Sequence, residues 1–183
     1  MRHRDPATPG AVLSGAAGYR FALIVSTFNQ TITGSLSAAA RAALLEAGAA
    51  AQDVEDFSVP GAFELPQAAR CAAETGRFDA IVCLGCVIRG ATPHFEYISS
   101  AVAYGIMSAA GATGVPIAFG VLTTDTLEQA RERAGEGADN KGREAAAAAI
   151  EMAVLFRRLG RPAARPGGGR PFGFVPASFR GSE

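Results

Sequence analysis

The chain has 183 residues, of which 49% are hydrophobic, with Lys+Arg and Asp+Glu balanced at 17 each and a mean hydropathy of +0.17. That length suits one domain, and that apolar content suits either a full core or a subunit that buries surface against its own copies. The charge balance excludes a general nucleic-acid binder or a binder of acidic membranes, and the three cysteines, Cys71, Cys83 and Cys86, form no disulfide framework and point to a reducing cytoplasm.

Residues 1–18 are rich in Gly, Pro and Ala and read as a flexible arm. Pro6, Pro9, Gly10, Ser14 and Gly15 interrupt any signal-peptide core behind Arg2 and Arg4. A first strand is predicted over Tyr19–Thr27, followed by a helix from about Ile32 to Ala47 that Gly48 closes. Phe28 falls on the loop between them. An aromatic there either stacks on a flat ligand or covers the edge of the core. A second strand is predicted over Val54–Val59, ending in Pro60-Gly-Ala-Phe-Glu-Leu-Pro66 and a helix to about Thr75. Glu64 sits at that junction, where the helix dipole favours a carboxylate and ligand hydroxyls would also find an acceptor.

The next stretch, Ile81 to Tyr97, carries the most chemistry. Ile81–Leu84 is an apolar run of the kind that fills a strand buried on both faces. Gly85 and Arg89-Gly90-Ala91-Thr92 then turn the chain. Thr92 is predicted to cap a helix, with Pro93 at its first position and His94, Phe95 and Glu96 in its first turn. Free N–H groups and the positive end of the helix dipole make this an anion nest, most often for phosphate. Arg89 either adds charge to it or points at a neighbouring subunit. His94, the only histidine outside the N-terminal arm, is either a proton shuttle beside that nest or a plain surface residue. Cys83-Leu-Gly-Cys86 spells C-x-x-C, but residues three apart on a strand point to opposite faces, so the thiols should diverge. No second Cys or His pair offers a zinc site.

The helix from Pro93 is predicted to reach about Ala112, and Val115–Leu122 reads as a fourth strand with Phe119 near its end. Asp125-Thr-Leu-Glu128 resembles a capping box that opens a short helix to about Ala134. On it, Arg131 and Arg133 are either solvated or one of them anchors a phosphate. Asn140-Lys-Gly142 precedes a last helix, Arg143 to about Leu159, whose Ala-rich face permits close packing. Glu151 stops the alanine run well short of the roughly 18 apolar residues of a membrane span. The tail, residues 160–183, is Pro/Gly-rich, with Phe172, Phe174 and Phe179 as docking candidates.

The order β-α-β-α-β-α-β-α-α predicts a three-layer α/β/α fold, with a flavodoxin-like four-stranded parallel sheet and helices on both faces. Ligands of such sheets bind beyond the carboxyl ends of the strands. Phe28, Gly61–Glu64, Cys86–His94 and Phe119 are all predicted to gather there.

Six segments together resemble the lumazine synthase family of riboflavin biosynthesis: Phe28-Asn29, Val59–Pro66, Leu84–Tyr97, Phe119–Asp125, Glu132–Gly135 and Asn140–Gly142. The resemblance runs from about residue 12 to 158 and implies a synthase domain over 19–159. It implies condensation of 5-amino-6-(D-ribitylamino)uracil with 3,4-dihydroxy-2-butanone 4-phosphate, through a Schiff base, with loss of phosphate and no metal or organic cofactor. It implies that Phe28 stacks on the pyrimidine and that Ala62, Phe63 and Glu64 bind the ribityl chain. Cys86, Val87 and Ile88 would line the pyrimidine through their backbone. Ala91 and Thr92 would hold the phosphate, and His94 would be the proton donor. Phe119 and the phosphate-binding Arg133 would come from the adjacent subunit of a pentamer, which in this family also assembles into icosahedral shells. No nucleic acid or membrane partner is implied. Cys86 stands where many members carry Thr, Glu136 and Asp139 make their loop more acidic than is frequent, and the tail has no counterpart.

Overall fold

The structure is a computed structural model and describes residues 14–161. The tail phenylalanines and most of the N-terminal arm therefore lie outside the described residues. Four strands, β1 (Phe21–Ser26), β2 (Val54–Val59), β3 (Ala80–Ile88) and β4 (Ile117–Thr124), alternate with five helices. The helices are α1 (Gln30–Glu46), α2 (Leu65–Glu74), α3 (His94–Thr113), α4 (Leu127–Arg133) and α5 (Lys141–Arg158). The sheet is parallel throughout, in the order β2-β1-β3-β4. From β1 the chain steps outward to β2, then returns to lay β3 on the other side of β1. The crevice between the carboxyl ends of β1 and β3 is therefore the switch point where ligands of such sheets settle.

β3 shows why the sequence makes this architecture. It is central and buried on both faces, and its residues alternate between two cores. Ala80, Val82, Leu84 and Cys86 join the cluster with Leu36, Leu44 and Ile150, beneath α1 and α5. Ile81 and Cys83 join the other, with Leu65, Val102 and Ile106, beneath α2 and α3. Burying each such large side chain contributes about 1.5–3 kcal/mol. The two cysteines accordingly face opposite layers. On the first face α5 buries Gly142, Ala145, Ala146, Ala149 and Ala153, so small residues bring it close to α1. At the edge, β2 carries Glu55 and Asp56, charges of the kind that discourage pairing with another sheet. Asp56 is paired with Arg41.

Some boundaries differ from the sequence expectation. β3 runs on to Ile88, and β4 is displaced to Ile117–Thr124 because it pairs with β3 over that whole length. α3 begins at His94, with Pro93 (ψ 2°) at the cap and no side chain capping it, so Thr92 lies outside the helix. The capping box of α4 is shifted by one residue. Thr126 accepts from the Gln129 N–H at 3.2 Å, and Gln129 Oε1 accepts from the Asp125 N–H at 3.0 Å. Within the segment read as an arm, Ala16 is fully buried and its N–H donates to the Ala47 carbonyl at 3.1 Å.

Candidate active site

Each strand delivers one loop to the switch point. β1 ends at Ser26, and Phe28 follows it with 69% of its surface exposed. The Thr27 N–H donates to the Val59 carbonyl at 2.8 Å, and Thr27 Oγ1 donates to the Pro60 carbonyl at 3.1 Å, fixing this loop to the one after β2. There Ala62–Glu64 forms a single 3-10 turn. Ala62 is buried and Phe63 is 59% exposed. Glu64 occupies the cap position of α2 without capping it, and its carboxylate folds back over Gly61.

β3 outruns β1. Their pairing ends at Val25–Leu84, whereas β3 and β4 stay paired to Ile88–Thr124. The β1-facing edge of Gly85–Ile88 is thus free of a strand partner and faces the crevice. Cys86 turns its side chain into the core, and burial pushes that thiol up to about 11. Its carbonyl accepts a hydrogen bond from the Asn29 side-chain amide at 3.0 Å. Val87 and Ile88 are half-buried beside it, and Ala91, Thr92 and His94 are exposed on the loop and helix start beyond.

Arg89 finds its partners within its own chain. Its guanidinium donates to Asp125 Oδ1 at 2.6 Å, pairs with Glu96 and lies 4.2 Å over the Phe95 ring. Those hydrogen bonds, Asp125 first and then Glu96, raise its pKa above the ordinary arginine value. The charge of Arg89 is thus matched by two carboxylates beside the exposed Ala91, Thr92 and His94.

Phe119 is misplaced by the sequence reading. It is the third residue of β4 and pairs with Cys83, five positions before the last pair of the two strands. At about 3.3 Å per residue it lies roughly 16 Å from the strand end. It stands 44% exposed on the sheet edge, away from the loops that bring Phe28, Glu64, Cys86–Ile88 and His94 to one rim. The order of strands, which decides the edge, is not written in any one strand. Arg133 is the last residue of α4 and turns back to donate to the Gln129 carbonyl at 3.0 Å.

Asn29, whose amide reaches the Cys86 carbonyl, also borders this site. Its only local signal was an asparagine between strand and helix. Among the described residues no three His, Cys, Asp or Glu side chains gather to hold a metal ion.

The signature of the 6,7-dimethyl-8-ribityllumazine synthase family matches residues 18–157. This chain belongs to the lumazine synthase family. A 6,7-dimethyl-8-ribityllumazine synthase from Syntrophus aciditrophicus (strain SB) is 56% identical over 144 residues, covering 79% of this chain and 94% of that protein. The matched span takes in every strand and helix of the sheet fold except the last residue of α5. The lumazine synthase family assignment and the α/β/α architecture thus agree over the same residues.

Proposed function

We infer that this chain condenses 5-amino-6-(D-ribitylamino)uracil with 3,4-dihydroxy-2-butanone 4-phosphate. The products are 6,7-dimethyl-8-ribityllumazine, inorganic phosphate and water, in the penultimate step of riboflavin biosynthesis. One observation carries the reading. Within a chain of this family, an exposed aromatic, a carboxylate, an open strand edge and a histidine at a helix start converge on one switch point.

Phe28 stacks on the pyrimidine, and the open main-chain edge of Cys86–Ile88 meets its polar rim. Ala62 and Phe63 flank the ribityl chain, and Glu64 accepts from its hydroxyls. Ala91 and Thr92 hold the phosphate at the start of α3, where unpaired N–H groups favour an anion. His94, the first residue of that helix, moves the protons of imine formation and phosphate loss. Holding two slow reactants in one crevice supplies the largest share of the acceleration. No metal or organic cofactor takes part.

The site is completed by a neighbouring copy in a homo-oligomer built from pentamers, the sixty-subunit shell being its largest form. Phe119 is too far from its own crevice to serve it, and Arg133 follows it from the neighbour. The wide apolar surface of α3 supports such assembly, with Tyr97 73%, Tyr104 70% and Met107 66% exposed. The enzyme acts in the cytoplasm. No described helix is long and apolar enough to cross a membrane.

Mixing the purified protein with both substrates should yield fluorescent lumazine. Product appearing no faster than in the protein-free control would end the catalytic reading. Light scattering should give a multiple of five subunits, and a monomer mass would remove the shared site.

A further inference from the structure

Asn29 breaks two local rules at once. It is the only non-glycine residue with positive φ among those described, at φ 59° and ψ 44°. Asparagine tolerates this left-handed backbone better than most residues, yet still at a cost that glycine avoids. It also stands at the cap of α1, where its side-chain oxygen would ordinarily accept from the first turn. It makes no such bond. Its backbone carbonyl serves the turn instead, accepting from Ile32 N–H at 2.8 Å and Thr33 N–H at 3.1 Å. The donor end of its side chain, the Nδ2 amide, reaches across to the Cys86 carbonyl at 3.0 Å.

That carbonyl lies just past the last β1–β3 pair, Val25–Leu84. Asn29 carries the lateral linkage of the sheet across the crevice where the backbone ladder has stopped. One end of the link adjoins Phe28. The other is the strand edge that continues through Val87 and Ile88. Local strain retained beside a binding crevice is a reason to look for function.

We propose that Asn29 is a positioning residue: by holding its amide on the Cys86 carbonyl it sets the gap between the Phe28 ring and the open edge of Cys86–Ile88, and so fixes affinity for the flat pyrimidine substrate. The proposal rests on the site reading above. It assigns Asn29 no contact with the reacting atoms. Because the link lies on the pyrimidine side, it governs that substrate and leaves the phosphate substrate alone.

Two variants separate positioning from folding. Asn29→Gly keeps the left-handed backbone without strain and deletes only the amide. Asn29→Asp keeps a residue suited to turn and cap and removes the donor. Equilibrium binding of ribitylaminouracil is measured without the second substrate, alongside both KM values and Tm. Each variant should bind the pyrimidine about tenfold more weakly, the scale of one hydrogen bond. KM for the butanone phosphate should stay within about twofold of the parent value, and Tm should change little. Unchanged pyrimidine affinity in Asn29→Gly overturns the proposal. So does a parallel rise of both KM values with a fall in Tm, which would mark a helix-start role only. A parent protein that binds the pyrimidine but makes no lumazine defeats the catalytic reading alone, since the binding comparison still decides the role of Asn29. A parent that does not bind the pyrimidine defeats both.

Discussion

Arg89 and Asp125 join the carboxyl ends of β3 and β4, with Nε donating to Oδ1 at 2.6 Å. The same guanidinium pairs with Glu96 in the first turn of α3 and covers Phe95. One side chain therefore tethers both ends of the loop that carries Ala91 and Thr92. Arg89→Ala should raise KM for the phosphorylated substrate roughly three- to tenfold through a looser loop. Tm should hold to within a few degrees, because exposed ion pairs contribute about 0–1 kcal/mol each. Steady-state kinetics with that substrate varied is the check, and an unchanged KM would leave the tether without a role in binding.

The Glu96 side of this cluster gives a pH dependence. The Arg89 hydrogen bond, and then the carboxylate's bond to its own backbone N–H, hold Glu96 below the usual carboxylate range. A depressed carboxylate contributes stability above its unfolded pKa of about 4.3, and that contribution is lost as pH falls through the lower folded value. Thermal melts between about pH 3 and pH 6 should therefore show the parent losing stability more steeply than Glu96→Gln. Parallel curves would show that the pairing is not populated in solution.

His94→Ala should slow lumazine formation by roughly tenfold or more, as removal of a general acid–base group does. His94 is exposed, so Tm should change little. A parental rate would pass the proton-transfer role to another group.

The cysteines should differ sharply in reactivity. Burial raises Cys83 to about 12 and Cys86 to about 11, so neither is a thiolate at neutral pH. Cys71 is only half-buried. Mass spectrometry after alkylation of the folded protein at about pH 8 should find label on Cys71 alone, and on all three after denaturation. Labelled Cys86 in the native protein would mean that the end of β3 opens.

Gly142 lies where α5 starts against α1, and a Cβ there would overlap the Leu36 carbonyl. Gly142→Ala should cost about 2–3 kcal/mol, a fall of about 4–12 °C in a chain of this size. Gly34 is the control. It is exposed on α1 with open space around it, so alanine there should raise Tm slightly. Equal Tm in parent and Gly142→Ala would mean that α1 and α5 pack less tightly.

What the sequence displays best is what depends on near neighbours. The apolar run Ile81–Leu84 announces a central strand, and the alternation of β3 separates Cys83 from Cys86 before any coordinates are seen. The loops bearing Phe28, Glu64 and His94 follow from strand ends and helix starts. Side chains that choose distant partners were not legible. Arg89 finds Asp125 thirty-six positions away, and Asn29 finds Cys86 fifty-seven away. Phe119 was placed at the wrong end because its height on the sheet depends on its register against Cys83. Thr92 and Asp125 each have the chemistry of a cap, and the competing choice of a neighbouring residue is settled by the geometry of the turn.

The two-sided burial of β3 bears on how this gene tolerates change in length. Removing a single codon anywhere between Ala80 and Cys86 would send every later side chain of the strand into the opposite layer. Insertions and deletions should accumulate instead in the exposed Glu136–Asp139 turn. A saturation library sorted for folded protein would map that boundary directly.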